Sequence, residues 1–411
     1  MRLRVALVAV LIASSPAAAA PVTDTASEWI DRADRALFLQ VGDFRTDLSG
    51  LLDLEGYVLD EHPPGLVFGG DDSFLNPRLT LFLDSRWTSS LYALVQARID
   101  RGFDPRARSS GSARFDEYFL RWTPLERPLV NLQVGKFATV FGGWVPRHHS
   151  WDNPLITAPL AYENVTIVTD EAAPASEAEF LARRGVPDRK PSWQPVVWGP
   201  SYASGASVFG RLGNFDYAAE MKNATLSSRP EVWDGRSRGW EHPTASGRIA
   251  WAPDPAWSIA VSASDGAYLQ EVADATLPAA RGIGDFHETV FGADAQYAWR
   301  HLQLWSELLL ARFDVPAVGD ADTAAYYFEG RYKLTPEIFG ALRWNQQLFG
   351  TVDDGAGGER AWDRDVWRAD AAVGYRPDRH LQGKVQYSYQ QQHGPFEQGE
   401  QLLALQLTLS F

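Results

Sequence analysis

The run Arg147-His148-His149-Ser150-Trp151-Asp152-Asn153 gathers most of the side-chain types in this chain that could do chemistry together. A serine beside imidazoles and an amide has the parts of a hydrolytic nucleophile–base pair. Such a pair must be held within hydrogen-bond reach by neighbouring elements, and here its members crowd into one segment. Two adjacent histidines could also bind a transition metal, but on an extended chain consecutive side chains point opposite ways, so one ion would not take both. No G-x-S-x-G, H-E-x-x-H or phosphate-cradling glycine loop occurs. Cysteine is absent, which removes disulfides, thiolate metal sites and a cysteine nucleophile. Neither enzyme chemistry nor a cofactor or metal is expected. The other chemistry on offer is electrostatic. Arg147, His148, Arg183 and Arg184, with Lys136 at the root of their segment and Arg98, Glu117 and Arg121 ahead of it, could present fixed charge to a passing ion.

Positioning such charges is a matter for the elements around them, and those read as strands. From about residue 44 the chain alternates with period two. Leu48, Leu52, Leu54 and Val58 interleave with Ser49, Asp53 and Glu55; Leu91, Ala93, Val95, Ala97 and Ile99 interleave with Gln96, Arg98 and Asp100. Trp367, Ala369, Ala371, Val373 and Tyr375 alternate with Arg368 and Asp370, and Leu403, Leu405, Leu407, Leu409 and Phe411 with Gln406, Thr408 and Ser410. Each strand therefore has one apolar and one polar face. Short links at 86–90, 123–128, 212–214, 252–256, 299–301, 335–337 and 376–380 alternate with longer ones at 61–74, 101–113, 138–201, 227–243, 265–286, 314–322, 350–361 and 394–400. That rhythm predicts an all-β fold, a transmembrane antiparallel β-barrel of about sixteen strands with tight turns at one end and loops at the other.

Membrane energetics choose which face points in. A lipid-facing Arg or Lys costs about 2–4 kcal/mol at the bilayer midplane. Turning the strands inside out would expose Arg78, Arg98, Arg121, Arg343, Arg368 and Lys384, among others, and would exceed the ~5–15 kcal/mol stability of a folded protein. The polar face must line a wet interior. Its basic residues Arg78, Arg86, Arg98, Arg121, Arg248, Arg331, Lys333, Arg343, Arg368 and Lys384 are nearly balanced by Asp47, Asp53, Glu55, Asp84, Asp100, Glu117, Glu220, Asp294, Glu307, Glu329 and Asp370, so counting charge leaves ion preference open. Aromatic residues near strand ends, Trp122, Tyr202, Trp251, Trp257, Tyr297, Trp344, Trp367 and Tyr375, are expected to form the interfacial belt. A net charge of −14 disfavours nucleic acid as a partner.

Residues 1–20 have the charged, apolar, small-residue order of a cleavable signal peptide. Residues 21–43 are expected to be a periplasmic segment, with a short amphipathic helix at 25–37, and 44–411 the barrel. The segment 138–201 is the third long link and is expected to fold into the lumen as the constriction.

Asp116-Glu117-Tyr118-Phe119-Leu120-Arg121-Trp122, then Leu132-Gln133-Val134-Gly135-Lys136-Phe137 running into Phe141-Gly142-Gly143-Trp144, resembles the pattern of the phosphate-selective porin family, in which a VGKF-type strand end feeds the constriction loop. The resemblance is concentrated in 114–164. It implies a sixteen-stranded porin of the bacterial outer membrane, a homotrimer surrounded by lipid and lipopolysaccharide, passing small hydrophilic solutes or ions, anions such as phosphate among them. Two other readings stand beside it. One is a barrel that sheathes a periplasmic or haem-bearing partner, which a wide unobstructed lumen would favour. The other is an outer-membrane phospholipase, which requires Ser150 within hydrogen-bond reach of an imidazole.

Overall fold

The structure, a computed structural model, describes residues 37–60, 73–101, 111–125, 128–186, 192–230, 235–236, 238–393 and 399–411. The signal peptide expected at 1–20 and all but the last residue of the helix expected at 25–37 lie outside these residues.

Sixteen antiparallel strands close on themselves. In chain order they are β2 (Phe44–Leu59), β3 (Ser73–Arg86), β4 (Leu91–Asp100), β5 (Ser112–Trp122), β6 (Asn131–Phe137), β7 (Ala203–Leu212), β8 (Phe215–Lys222) and β9 (Thr244–Trp251). The circuit continues with β10 (Trp257–Ala267), β11 (His287–Trp299), β12 (Leu302–Val315), β13 (Gly319–Lys333), β14 (Ile338–Phe349), β17 (Val366–Tyr375), β18 (Leu381–Gln392) and β19 (Gly399–Ser410). A stub, β1 (Phe38–Val41), and a small hairpin, β15 (Thr351–Asp353) with β16 (Glu359–Ala361), complete the strands.

Closure falls between β19 and β2, in register from Leu402↔Leu59 to Ser410↔Leu51. Where β19 stops, Gly50 and Phe411 exchange backbone hydrogen bonds of 2.8 and 3.1 Å, and β1 continues along the same edge of β2. Two parts of the chain thus share one strand position, and no edge of β2 is left open to lipid, where an unpaired amide would be costly. Gly50 is required there, because a Cβ would meet both the Phe411 ring and the Thr80 carbonyl.

The alternation read from the sequence resolves as expected. Leu52, Leu54, Val58, Leu403, Leu405 and Leu407 are exposed on the outside, whereas Asp53, Glu55, Gln406 and Thr408 are buried inside and joined across the seam by Gln406–Glu55 and Thr408–Asp53 bonds of 2.6 Å each. The belt differs in detail. Trp122, Trp251, Trp257 and Tyr375 are exposed near the turn ends, with Tyr297 half-buried beside Trp257, but Tyr202 is buried behind the third loop and Trp344 lies mid-strand. The link expected at 314–322 is only Pro316–Val318, because β12 and β13 continue as a hairpin beyond the barrel wall.

That extension has a purpose in packing. Phe313, Val315, Ala321 and Phe349 at the loop ends of β12–β14 form a second apolar core with Ile167, Phe180, Trp193, Tyr268, Phe286 and Trp362 from the long links. The loops over the β10–β17 half of the barrel are therefore a packed cap.

Candidate channel constriction

β6 ends at Phe137 and β7 starts at Ala203, and the chain between them is built inward from its first residue. A bulge in β5 at Asp116 starts this. Gln96 pairs with Glu117 and Ala97 with Phe115, so Asp116 is an extra residue and two consecutive acids both turn inward. Asp116 takes the guanidinium of Arg98 at 3.0 Å and that of Arg114 at 2.9 Å, while Glu117 accepts the backbone N–H of Ala138 at 2.7 Å at the loop root. Glu220 on β8 accepts Thr139 Oγ1–H at 2.6 Å and Val140 N–H at 3.2 Å, which turns the segment off the wall.

The chain then reaches the far side. Tyr162 O–H and Gly143 N–H bond Glu307 of β12, at 2.8 and 3.0 Å. Arg147 pairs with Glu329 of β13 and donates to Tyr327 at 3.2 Å, its guanidinium 4.5 Å from the centre of the Trp305 ring. Arg343 of β14 donates to Thr157 Oγ1 at 2.8 Å and to the Ala158 carbonyl at 2.9 Å. Arg368 of β17 pairs with Glu163. On β18, Gln386 accepts the N–H of Ile156 at 2.5 Å, and Lys384 Nζ donates to the carbonyls of Ser150, Asn153 and Leu155 at 2.7–3.2 Å. β14 is the eighth strand along the circuit from β6, diametrically opposite in a ring of sixteen. A chain rooted on β6 and bonded to β14 crosses the lumen.

Arg147, Arg343 and Arg368 meet Glu329, Asp370 and Glu163 in this seat, three charges of each sign, all buried. The cluster is neutral and, apart from Arg147 Nε, hydrogen-bonded, the condition under which buried charge is tolerable. It fixes the loop and leaves little net field for an ion.

The open lumen lies along the other wall. A cavity of about 140 Å³ sits between the loop and β2–β4, bordered by Asp53, Arg78, Arg98, His148, His149 and Ser150. Nearer the turns, a larger space of about 550 Å³ is lined by Arg121, Gln133, Phe209, Arg211, Asp216 and Arg248. Arg78 at the smaller cavity is held by Asp53 at 3.0 Å and Glu55 at 2.6 Å.

The sequence-named residues therefore part company. Arg98 and His148 border the smaller cavity and Arg121 the larger one. Arg121 donates twice to Gln133 Oε1, at 3.0 and 2.8 Å, and lies 5.0–5.4 Å from the ring centres of Tyr92, Phe119 and Phe209. Glu117 holds the loop root. Arg147 belongs to the neutral seat. Arg183 donates to the Ile167 and Ala172 carbonyls within the loop, and Arg184 donates to Trp362 at 2.7 Å and to Ala361 in the cap. Lys136 shares the parity of outward-facing Val134, and its ammonium bonds the Pro230 carbonyl at 2.9 Å.

His148 and His149 are close, with ring centres 3.9 Å apart, contrary to the opposed arrangement expected of an extended chain. They follow the 3₁₀ turn Val145–Arg147, and His148 keeps turn dihedrals. His148 Nδ1 contacts the Val145 carbonyl at 2.6 Å and Nε2 the Tyr202 hydroxyl at 2.7 Å, while the Phe82 ring meets His149 edge-on. Burial pushes the His148 imidazole down to about 4, with the cationic Arg98 and Arg78 adding to the effect, and puts His149 well below its ordinary 6.5. Ser150 Oγ bonds neither ring. Among the described residues no group of three His, Asp or Glu side chains could hold a metal ion. Tyr162 and Gln386 were not singled out from sequence, and Tyr202 was read there as a belt aromatic; it holds His148 inside the lumen instead.

A closed sixteen-stranded barrel whose third loop crosses the lumen defines the class: the fold is that of bacterial outer-membrane porins. Solved structures that share it include three bacterial outer-membrane proteins. The chain aligns with the anion-selective porin from Comamonas acidovorans at 10% identity and TM-score 0.58, over 90% of this chain and 100% of that one. The outer membrane channel DcaP of Acinetobacter baumannii matches at 13% identity and TM-score 0.56, over 91% and 99%. OmpT, an outer membrane protein of Vibrio cholerae, in a trimer form, matches at 10% identity and TM-score 0.53, over 90% and 99%. No family model and no curated protein matches the sequence.

Proposed function

We propose that this chain is an outer-membrane diffusion channel for small hydrophilic solutes, with anions favoured, whose filter is the wall of β2–β9 facing the third loop. The observation that carries the reading is the attachment of that loop to β12–β18, which leaves the lumen open along one side only. Anion preference rests on the larger cavity, where Arg121, Arg211 and Arg248 face the single acid Asp216 in the lining. Arg248 is paired with Asp294 at 2.7 Å and Arg211 with Asp216 at 3.3 Å, so Arg121, bonded to the neutral Gln133, contributes the least compensated charge. Fixed charge in a narrow passage screens ions more effectively than in a vestibule.

A loop across the lumen disfavours a sheath around a partner protein, and the separation of Ser150 from both imidazoles disfavours a phospholipase. A homotrimer within lipid and lipopolysaccharide fits the exterior. On β19 and β2–β4 it is largely aliphatic (Leu403, Leu405, Leu54, Val58, Leu83, Ile99), whereas exposed rings concentrate on β9–β18. An aliphatic face without an aromatic girdle suits protein contact better than a water–lipid boundary. Reversal potentials of the purified full chain in a planar bilayer under a salt gradient test the proposal. The expected result is discrete channels with anion preference, and Arg121→Glu shifting the reversal potential toward cations. Absence of channels overturns the diffusion role, and an unchanged potential in the variant removes Arg121 from the path.

A further inference from the structure

The cavity of about 140 Å³ between the third loop and β2–β4 is lined by two arginines whose donors are only partly used. Arg78 donates from Nε and Nη2 to Asp53 and Glu55, and among the described residues nothing accepts from its Nη1. Arg98 meets Asp116 through Nε at 3.0 Å, and no other hydrogen bond or ion pair reaches its guanidinium among the described residues. Thr80 stands opposite Arg98 in the register of β3 and β4, so Arg78 is a diagonal neighbour of Arg98, with side-chain roots about 7–8 Å apart. Two cations placed in this way repel one another unless an anion lies between them.

The acids beside them already accept other donors. Asp53 takes Thr408 Oγ1–H at 2.6 Å, Glu55 takes Tyr57 O–H at 3.0 Å and Gln406 Nε2–H at 2.6 Å, and Asp116 takes Arg114 at 2.9 Å. His149, also on the lining, touches the rings of His148 and Phe82 and makes no hydrogen bond among the described residues, which leaves an imidazole N–H to give. Lys384 lies close by, bonded to the carbonyls of Ser150 and Asn153. Arg78, Arg98, Arg114 and Lys384 are thus matched in number by Asp53, Glu55, Asp100 and Asp116. The open donors can take one negative charge, whereas a second would face four carboxylates with no cation left over. The same lining carries the apolar side chains of Leu51, Ile156 and Ala158.

We infer that this cavity binds a short-chain monocarboxylate, its carboxylate bridging the Arg78 and Arg98 guanidiniums and its alkyl tail against Leu51, Ile156 and Ala158. Guanidinium N–H groups match the paired oxygens of a carboxylate, and the volume is room for roughly six heavy atoms, the size of butyrate. Phosphate brings a second charge and has no use for the apolar lining. The inference rests on the proposed channel and names the solute class that its open side takes.

Single-channel recording of the full chain in constant potassium chloride, with butyrate added on one side, tests it, together with calorimetric titration of butyrate into the detergent-solubilised chain. Butyrate is expected to reduce the current along a saturating curve, butyramide to leave it unchanged, and phosphate to need a concentration about tenfold higher. Arg98→Gln and Arg98→Lys each raise the half-blocking concentration about tenfold, because neither keeps the fork. The lysine variant serves should loss of charge beside Asp116 prevent folding, which heat-dependent gel mobility reports. Ile156→Phe, which fills the apolar part, weakens the butyrate block and spares that by acetate. A response proportional to butyrate concentration overturns the inference, as do equal block by butyramide, tighter block by phosphate, or an unchanged half-blocking concentration in a folded Arg98 variant. Channels without butyrate saturation in either measurement sink this site alone; calorimetric binding without channels sinks the proposed function alone.

Discussion

Arg343 has a fully buried guanidinium that touches Asp370 at 2.9 Å, Glu329 at 3.2 Å and Thr157 Oγ1 at 2.8 Å. Removing one member of a buried ionic cluster strands its partners and costs about 3–5 kcal/mol. Arg343→Met is therefore expected to lower the thermal midpoint and to loosen the loop, read as larger and noisier single-channel conductance than wild type. The histidines give a second residue-scale expectation. A depressed His148 contributes stability that is full above the unfolded value near 6.5 and is lost as pH falls through about 4. Proteolytic nicking of the third loop should rise over that window and flatten in His148→Gln. Asp363 acts with the opposite sign. Buried, and accepting the Ile167 N–H at 2.9 Å, it is pushed up to about 6, so its contribution is full below its ordinary 3.8 and is lost as pH rises through 6. Acid loosens the third loop around His148, and neutrality loosens the cap.

The elements were legible from the sequence to different degrees. Alternation at Leu52–Val58 and Leu403–Leu409 placed the strands and their parity because lipid enforces it on every outward residue. Inside the lumen no such rule operates. Whether Arg147 faces an ion or Glu329 depends on which strand lies across the barrel, and that is set by closure and not by local pattern. Thus 138–201 could be recognised as the long third link, while the roles of Arg147, Arg183 and Arg184 could not be read. The 314–322 stretch was mistaken for a loop because Asp314, Pro316, Gly319 and Asp320 resemble turn chemistry, and the hairpin they belong to is stabilised by cap residues distant in sequence. The cap has its own test. Trp362 is fully buried and donates to the Asp322 carbonyl at 2.6 Å. Trp362→Ala should cost about 3–5 kcal/mol of cap packing. The expected readout is faster proteolysis across 165–186, with the heat-resistant barrel band unchanged on gels.

For the whole molecule, the seam decides whether there is a barrel at all. Gly50→Val would drive a side chain into Phe411 and the Thr80 carbonyl, and the expected outcome is a chain that never acquires the folded gel mobility, whatever the state of its loops. The bonds across that seam join residues very far apart in sequence, with Gln406 and Glu55 separated by 351 positions. Contacts of such separation form late and slowly. While β2 waits for β19 to emerge, its apolar side chains and unpaired amides stay available to any other strand, its own neighbours in a crowded compartment included. A polypeptide closed in this way depends on escorts that keep it dispersed during transit, and its yield in the cell should follow the supply of those chaperones more closely than it follows its own equilibrium stability.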